Sequence, residues 1–287
     1  MTEASPGRVH PWIAAFARAV VHPLVRVMHR ARLDGVENLP ASGAFLLVAN
    51  HSAGLGLSEI LAFLSLYLRA VGSSRPLAGY ALAHVFRIPF VREFFRALGA
   101  IPSTYEAAAE ALAAGVPILV FPGGSHETLR PIWQADRVDF GGHVGFLRVA
   151  MRAGVPIVPM GIRGAHFTAP ILFRARWLAT PLVLPRLLGQ KRWALSLLGV
   201  LGALCIEWLA PFAWPWRLAA VYAWLASPLT FVPWVPWSIR FRIGAPIPSA
   251  ALFGPSARED DATLREALAR VEGAVAALVL GTSGGGR

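Results

Sequence analysis

The sequence predicts an α/β domain with a mixed, mostly parallel sheet that is flanked by helices. Short apolar runs of strand length, such as AFLLVAN, PILVFPGG and VPIVPMGI, recur along the chain. Segments with helical spacing of apolar residues lie between them, and glycine or proline turns separate the two kinds of segment. This alternation favours βα units and a mixed or parallel sheet.

Composition indicates contact with an apolar environment. The chain has 287 residues, of which 55% are hydrophobic and only 15% are charged, and its mean hydropathy is +0.53. Such a chain is too apolar for an ordinary soluble domain, and its arginines and prolines interrupt it too often for a polytopic channel. The length favours a single core with an appended segment.

The formal net charge is +11, and only one of the 27 basic residues, Lys191, is a lysine. Between Asp139 and Glu259 the only acid is Glu207, whereas twelve basic residues lie there. Because this basic segment is rich in tryptophan, we expect an anionic membrane surface as a partner. Nucleic acid is the competing partner, and we disfavour it because long apolar runs separate the basic residues.

The cysteine content and the first ten residues indicate where in the cell the protein is expected. The single cysteine, Cys205, excludes a disulfide framework and a Cys/His zinc site. Residues 1–10 are polar, and basic residues interrupt the apolar pattern that follows, so no signal-peptide core is evident. We expect a membrane-associated protein at the cytoplasmic face of the cell membrane.

Residues 1–32 are predicted to form an amphipathic basic helix, bent at Pro23. It either lies in a membrane interface or covers the core. The main domain is assigned to 33–287. Within it the expected strands are Leu33–Asn38, Phe45–Val48, Gly99–Pro102, Val116–Phe121, Val155–Ile162 and Ser238–Ile243. The expected helices are 57–71, 81–86, 91–98, 105–114, 144–153 and 259–280. The prolines of Val155–Ile162 predict an edge strand or positions at strand ends.

Residues 190–237 are predicted to form a hydrophobic insertion. Seven tryptophans fall in this segment, and Glu207 and several prolines interrupt it. Neither half offers a clean run of about 20 apolar residues. We therefore expect a hydrophobic, tryptophan-rich segment that dips into the bilayer or forms a re-entrant hairpin. A transmembrane hairpin is the alternative.

The first chemical stretch is Ala44–Ile60. A short apolar strand ends at Asn50-His51, and Ser52, Gly54 and Gly56 then allow a tight turn before a helix. α/β proteins place reactive groups at such a strand end. The alternative is that His51 only satisfies the turn by hydrogen bonding.

The second chemical stretch is Val120–Arg130. A strand feeds a Gly-Gly turn, whose backbone N–H groups could hold an anion, and Glu127 and Arg130 follow. The alternative is a plain strand-turn-helix. GGSHE lacks the second glycine of the G-x-S-x-G elbow, so a serine hydrolase is disfavoured.

Four blocks together resemble the glycerolipid acyltransferases of the lysophosphatidic-acid acyltransferase superfamily, and the diacylglycerol acyltransferase-like branch in particular. The blocks are NHSAGLGLSE, LGAIPST, FPGGSHE and VPIVPMGI, and they occur in the family order. The resemblance covers roughly residues 33–170 and the final strand SIRFRIGAPI. It implies transfer of a fatty acyl group from acyl-CoA or acyl carrier protein to a hydroxyl of a lysophospholipid or other glycerolipid. No metal or bound cofactor is implied.

By position, the resemblance makes His51 the general base that takes the acceptor's hydroxyl proton. The residues implied to line the acceptor or phosphate pocket are Ile101, Ser103, Thr104, Gly123, Gly124 and Glu127. Arg130 is a candidate anion partner on spacing alone.

One departure concerns the carboxylate that orients the histidine. In the family an Asp lies five or about seven residues after it, but these positions are Gly56 and Ser58 here. Glu59 has suitable chemistry, although one step along a helix rotates a side chain by about 100°. If Glu59 points elsewhere, Ser58 is left as a weak orienting group in the substrate pocket. The chain would then be a slow enzyme or a catalytically impaired lipid-binding relative.

Overall fold

A computed structural model describes residues 6–52, 54, 57–182, 192–254 and 259–282. Parts of the predicted segments lie outside these described residues, namely 1–5, Gly56, 190–191 and the tail from 283.

A seven-stranded sheet forms the centre of the molecule. Its strands are β1 (Arg32–Asp34), β2 (Leu46–Ala49), β3 (Ala78–Ala81), β4 (Ala100–Pro102), β5 (Ile118–Val120), β6 (Ile157–Arg163) and β9 (Arg240–Ile243). Their spatial order is β1-β9-β6-β2-β5-β3-β4. Strands β2 to β6 run parallel, whereas β9 runs antiparallel to β6 and parallel to β1. The predicted mixed, mostly parallel sheet is confirmed.

Helices cover both faces of this sheet. The helices within the described residues are α1 (Pro11–Phe16), α2 (His22–His29), α3 (Leu57–Ala70), α4 (Pro89–Ala97), α5 (Tyr105–Ala113), α6 (Gly124–Thr128), α7 (Gly145–Ala153), α8 (Arg176–Ala179), α9 (Leu197–Leu209), α10 (Trp214–Ala226), α11 (Ser249–Phe253) and α12 (Asp261–Leu280). Helices α2 and α3 pack on one face of the sheet, and α5, α7, α11 and α12 pack on the other. A π-helical segment, Ala17–Val21, joins α1 to α2.

The apolar run of β2 supplies both cores because successive side chains point to opposite faces of a strand. Leu46 and Val48 pack in one cluster with residues of α5, α7 and α12. Leu47 and Ala49 pack in the other cluster with residues of α2 and α3. A strand buried on both faces has no polar position, which explains why its sequence does not alternate.

The N-terminal helical segment shares features of both predicted roles. Ile13, Ala17, Val21 and Val25 are buried, so one face covers the core. Apolar side chains also line the opposite, exposed face: Trp12, Phe16, Val20, Leu24 and Val27.

Three features differ from the sequence predictions. Strand β3 lies where the sequence predicts a loop and the start of a helix. It is not predicted as a strand because its residues, AGYA, have little strand propensity. The β6 strand is central and not at an edge. Pro159 lies opposite Gly244, one residue beyond the end of β9, so the N–H that proline lacks falls where the antiparallel ladder has ended. Its carbonyl oxygen accepts from Gly244 N–H at 2.8 Å.

A two-stranded antiparallel ribbon, β7 (Ile171–Ala175) and β8 (Trp193–Ser196), was not predicted. It precedes the predicted insertion's two helices, α9 and α10, which contain 13 residues each. Within the described parts of the chain, no helix is both long and apolar enough to cross a membrane. The helices expose several large apolar side chains, which include Leu204, Trp208, Leu209, Trp214, Trp216 and Leu218.

Candidate active site

His51 lies just beyond the carboxyl end of β2, between the ends of β5 and β6. The preceding Asn50 fixes this strand end to β6. Its side-chain amide donates to Ile162 O at 2.8 Å, and its Oδ1 accepts from Ile162 N–H at 2.7 Å. The predicted placement of His51 at the carboxyl edge of a parallel sheet is confirmed, and this is where open α/β sheets bind ligands.

Glu59 orients His51. The Glu59 Oε1 atom makes a short contact with His51 Nδ1. The Glu59 carboxylate is fully buried, whereas 13% of the His51 side chain is exposed. Ser52 N–H donates to both carboxylate oxygens at 3.0 Å, and Ser52 Oγ donates to Oε2 at 2.5 Å. The carboxylate is thus held on several sides, and the imidazole is held through Nδ1, so that within the described residues its Nε2 makes no hydrogen bond.

Ser58 does not share this role. Its hydroxyl is buried and pairs with Thr168 Oγ1 at 2.9 Å. Ser58 was expected to orient His51 only if Glu59 pointed elsewhere, and Glu59 makes that contact instead. The place of Ser58 among the substrate-binding residues stays a prediction. One position along α3 is enough to turn Ser58 away and to bring Glu59 onto His51.

The turn between His51 and α3 is packed tightly. Gly54 has φ of +64°, and a Cβ at this position would lie 2.8 Å from the Cβ of Phe231. Gly54 N–H also donates to Thr128 O at 3.0 Å. Gly54 is therefore required both by its left-handed backbone and by the close approach of the segment that follows α10.

Phe121, the last residue before the Pro-Gly-Gly turn, stacks on the His51 ring. The ring centroids are 4.3 Å apart and the planes are inclined by 21°. The stacked ring restricts rotation of the imidazole and covers one of its faces. No separate sequence signal marks this role, since Phe121 has the pattern of a residue at the end of a buried strand.

Glu127 joins the second chemical stretch to the first. Its Oε2 accepts from the backbone N–H of His51 at 2.9 Å, and its Oε1 accepts from Asp139 N–H at 3.1 Å. Burial raises the pKa of Glu127 to about 7, because the loss of hydration outweighs these two N–H donors and the charge of Arg130. Glu127 thus holds the His51 backbone and does not line an open pocket.

Gly123 makes room for that carboxylate. A Cβ on Gly123 would lie 2.3 Å from Glu127 Cγ. Two N–H groups of the turn are used within it: Gly124 donates to Phe121 O at 3.2 Å and His126 donates to Gly123 O at 2.9 Å. The Gly124 N–H is therefore not free for an anion, whereas a place for Gly123 and Gly124 in the wall of an acceptor or phosphate pocket stays a prediction.

Arg130 is also an internal residue. Its side chain is 1% exposed and lies 3.5 Å from Glu127 Oε1. Its Nη1 donates to Arg137 O, and its Nη2 lies 3.4 Å from Asp139 O. The predicted role of Arg130 as an anion partner is therefore replaced by a structural role, which fixes the loop after α6.

His166 packs against the backbone of Glu127 and so supports the same site. It is buried, and its Nε2 lies 3.3 Å from Glu127 O. Burial lowers the pKa of His166 to about 4, so the ring is neutral at physiological pH. Its position after β6 in the chain gave no hint of this contact, because only the fold brings it to α6.

A basic group lies beside the turn. Arg174 donates through Nη1 to His126 O, and Arg192 Nη1 lies 3.5 Å from His126 Nδ1. Both arginines come from the β7–β8 ribbon, and both are half-buried. Asp139 pairs with His126 at 3.1 Å. Burial lowers the pKa of Arg174, and repulsion from Arg192 contributes to the shift.

The second block lies farther from His51 than expected. Strand β4 is three positions from β2 in the sheet, which corresponds to roughly 14 Å. Ile101 is in the core, and Thr104 caps α5 by accepting from Ala107 N–H at 3.2 Å. Ser103 is exposed. Within the described residues no hydrogen bond joins these three to His51 or Glu127, so they do not share its immediate surroundings.

Comparison with known proteins agrees with this arrangement. Residues 30–163 match the family model described as Acyltransferase. The crystal structure of the 1-acyl-sn-glycerophosphate (LPA) acyltransferase PlsC from Thermotoga maritima superposes with a TM-score of 0.50 and 19% identity. The superposition covers 94% of this chain and 78% of that one, and it supports the fold alone.

Two curated relatives extend the comparison. An uncharacterized protein of Mycobacterium tuberculosis is 30% identical over 212 residues, which cover 71% of this chain and 56% of that protein. A chicken protein (Gallus gallus) named DGAT1/2-independent enzyme synthesizing storage lipids is 33% identical over 135 residues, or 47% of this chain and 39% of that protein. The chain thus spans about half the length of the curated relatives that it matches. The block order and the matched family model agree, and residues 30–163 of the chain form a domain of the acyltransferase superfamily.

Proposed function

We propose that the protein transfers a fatty acyl group from an acyl thioester, acyl-CoA or acyl carrier protein, to a hydroxyl of a lysophospholipid or other glycerolipid. The observation that carries the proposal is the contact between His51 Nδ1 and the buried Glu59 carboxylate at the end of β2. A histidine held in this way presents Nε2 as a base toward solvent or substrate.

In the proposed reaction His51 Nε2 accepts the proton of the acceptor hydroxyl while the oxygen attacks the thioester carbonyl carbon. The carbon–sulfur bond then breaks, and the proton passes from the imidazolium to the leaving thiolate. Glu59 stabilises the imidazolium that forms between these steps. No covalent acyl-enzyme is needed.

The test is acyl transfer by the purified protein to a panel of lysophospholipid and neutral glycerolipid acceptors. With His51→Ala, we expect the turnover rate to fall on the order of 10²–10⁴-fold. The matched control is His10→Ala, which removes an exposed histidine of the N-terminal segment. Equal turnover by wild type and His51→Ala would overturn the role of His51.

A catalytically impaired lipid-binding relative is the alternative to an enzyme. The argument for this alternative is that the family's Asp is absent after His51. The contact between Glu59 and His51 weakens that argument, because a carboxylate still lies beside the histidine. Robust turnover would reject this alternative. Vesicle binding without turnover on any acceptor of the panel would favour it.

Arg174 and Arg192 support an anionic group on the substrate, since both arginines contact His126, whose ring pairs with Asp139. A headgroup phosphate of the acceptor fits this chemistry. With Arg174→Gln we expect KM to rise for a phosphate-bearing acceptor and to stay unchanged for a neutral glycerolipid. An equal effect on both acceptors would contradict this assignment.

We further propose that the protein associates with the cytoplasmic face of the cell membrane. The supporting features are the apolar residues exposed by α9, α10 and the N-terminal helices, together with the net charge of +11. Co-sedimentation with anionic vesicles, and no binding to duplex DNA of equal charge concentration, is the expected result. Protease accessibility in right-side-out and inside-out membrane vesicles tests the face.

A further inference from the structure

A second basic site lies on the sheet, apart from His51. The residues Arg163, Arg240 and Arg32 are paired across three neighbouring strands, β6, β9 and β1. Residues in register point to the same face of a sheet, and like charges placed opposite each other are destabilising. This arrangement therefore has an electrostatic cost, which a bound anion would relieve.

Arg163 and Arg240 border a cavity of about 300 Å³. Its lining includes Arg163, Arg240, Arg242, Asp136, Ser238 and Trp237. Arg163 pairs with Asp136 at 3.4 Å, and Arg242 donates to Leu278 O at 2.7 Å. Of these lining arginines, Arg240 alone has no hydrogen bond or ion pair within the described residues. Arg32 pairs with Arg240 in the sheet but does not line the cavity. The charge of Arg240 is thus not neutralised by a neighbouring side chain and faces the cavity.

The rim of the cavity is aromatic. Trp237 is 46% exposed and stacks on Phe167, with ring centroids 4.8 Å apart. Trp237 belongs to the tryptophan-rich segment that follows α10, and Trp234 in the same segment is also exposed. Tryptophan side chains are enriched at the headgroup level of a bilayer, where polar and apolar surroundings meet.

We infer that this cavity, with Arg163 and Arg240 as its charged contacts and Trp237 at its rim, binds the phosphate of an anionic membrane phospholipid. The site is separate from the acceptor site, since Glu127 and His51 do not line it. A lipid headgroup is favoured over free phosphate because the exposed Trp237 and Trp234 would face the interface while the guanidinium groups meet the phosphate. The inference rests on the proposed membrane association and not on the role of His51.

The test measures vesicle affinity of the full chain by co-sedimentation. The vesicles are phosphatidylcholine alone and phosphatidylcholine mixed with phosphatidylglycerol. For the mixed vesicles we expect Arg240→Gln to weaken binding roughly 5-fold and the double change with Arg163→Gln roughly 30-fold. The matched control is Arg265→Gln, which removes one charge from an arginine that is 80% exposed on α12. We expect less than about a 2-fold change for it.

Arg240→Lys distinguishes a specific phosphate site from general surface charge. Lysine keeps the positive charge but lacks the planar guanidinium that donates two hydrogen bonds to a phosphate. We expect it to bind mixed vesicles more weakly than wild type. Binding equal to wild type for Arg240→Lys, or equal losses for Arg240→Gln and Arg265→Gln, would overturn the site.

Two further measurements distinguish a lipid site from a free-anion site and separate this inference from the catalytic proposal. Inorganic phosphate should compete only weakly with mixed vesicles. If it instead raises the melting temperature of wild type but not of Arg240→Gln, while vesicle binding is the same in both, the cavity is a free-anion site and the lipid assignment is wrong. The His51→Ala variant should bind mixed vesicles as wild type does, so failure of the catalytic proposal leaves this result unaffected.

Discussion

At the scale of single residues, the pair of His51 and Glu59 allows the sharpest prediction. Glu59→Gln keeps the shape and an acceptor for Ser52 N–H, but it removes the negative charge beside the imidazole. We expect kcat to fall by about 10²–10⁴-fold with little change in KM, because the carboxylate acts on the charge that develops during reaction. Single-turnover kinetics provide the measurement. Ser58→Ala is the control, since that hydroxyl pairs with Thr168, and a comparable loss of kcat there would contradict the assignment.

Glu127 predicts a pH dependence of stability. Its folded-state pKa of about 7 lies above the ordinary value of 4.5, so the folded state holds this proton more tightly than the unfolded state. Its contribution to stability is therefore complete below about pH 4.5 and is lost as the pH rises through about 7. Relative to Glu127→Gln, wild type should lose on the order of 2–3 kcal/mol of unfolding free energy over that range. Urea unfolding at several pH values tests this slope. Glu93→Gln, at an exposed position, should leave it unchanged, and the absence of any difference between wild type and Glu127→Gln would refute it.

At the scale of elements, the turn after β2 is predicted to depend on its contact with the segment that follows α10. Gly54→Ala places a Cβ against Phe231 and also strains a backbone with φ of +64°. Gly43→Ala is a matched control because its φ of +81° brings similar strain, but no atom lies within 4 Å of the new Cβ. We expect Gly54→Ala to lower the unfolding free energy by about 1–3 kcal/mol more than Gly43→Ala does, and only Gly54→Ala should reduce turnover. Equal effects of the two changes would mean that the contact with Phe231 is unimportant.

Elements that carry a strong apolar pattern were predictable, and those that depend on distant partners were not. Strands β2, β5 and β6 read directly from the sequence because each is an apolar run that ends at a turn. In contrast, β3 consists of AGYA and is a strand only because β5 and β4 flank it. The same reason explains Arg130: its spacing from Glu127 suggested a ligand, but the loop with Asp139 folds over it and buries its charge. The position of His51 was predictable, whereas the contacts of His166, Arg174 and Arg192 come only from tertiary packing.

At the scale of the whole molecule, two kinds of membrane contact should respond differently to salt. The hairpin of α9 and α10 exposes Trp208 to 83% and Trp216 to 71%, and transfer of such rings from water is insensitive to ionic strength. The arginine pairs of β6 and β9 act through charge, which salt screens within about 10 Å at 0.1 M. Trp208→Ala combined with Trp216→Ala should therefore weaken binding to mixed vesicles by roughly tenfold or more at every salt concentration. Trp208→Phe, which keeps an aromatic ring, should retain most of the affinity.

The complementary change is Arg163→Gln combined with Arg240→Gln. It should leave binding at high salt close to that of wild type and should flatten the dependence of affinity on salt. Vesicle titrations across a salt series, with wild type and both double variants, provide the measurement. If the tryptophan variant also loses its salt dependence, the hairpin and the arginines act as one surface and not as two independent contacts. If neither double variant weakens binding at any salt concentration, membrane association does not depend on these surfaces, and the placement proposed for the molecule is wrong.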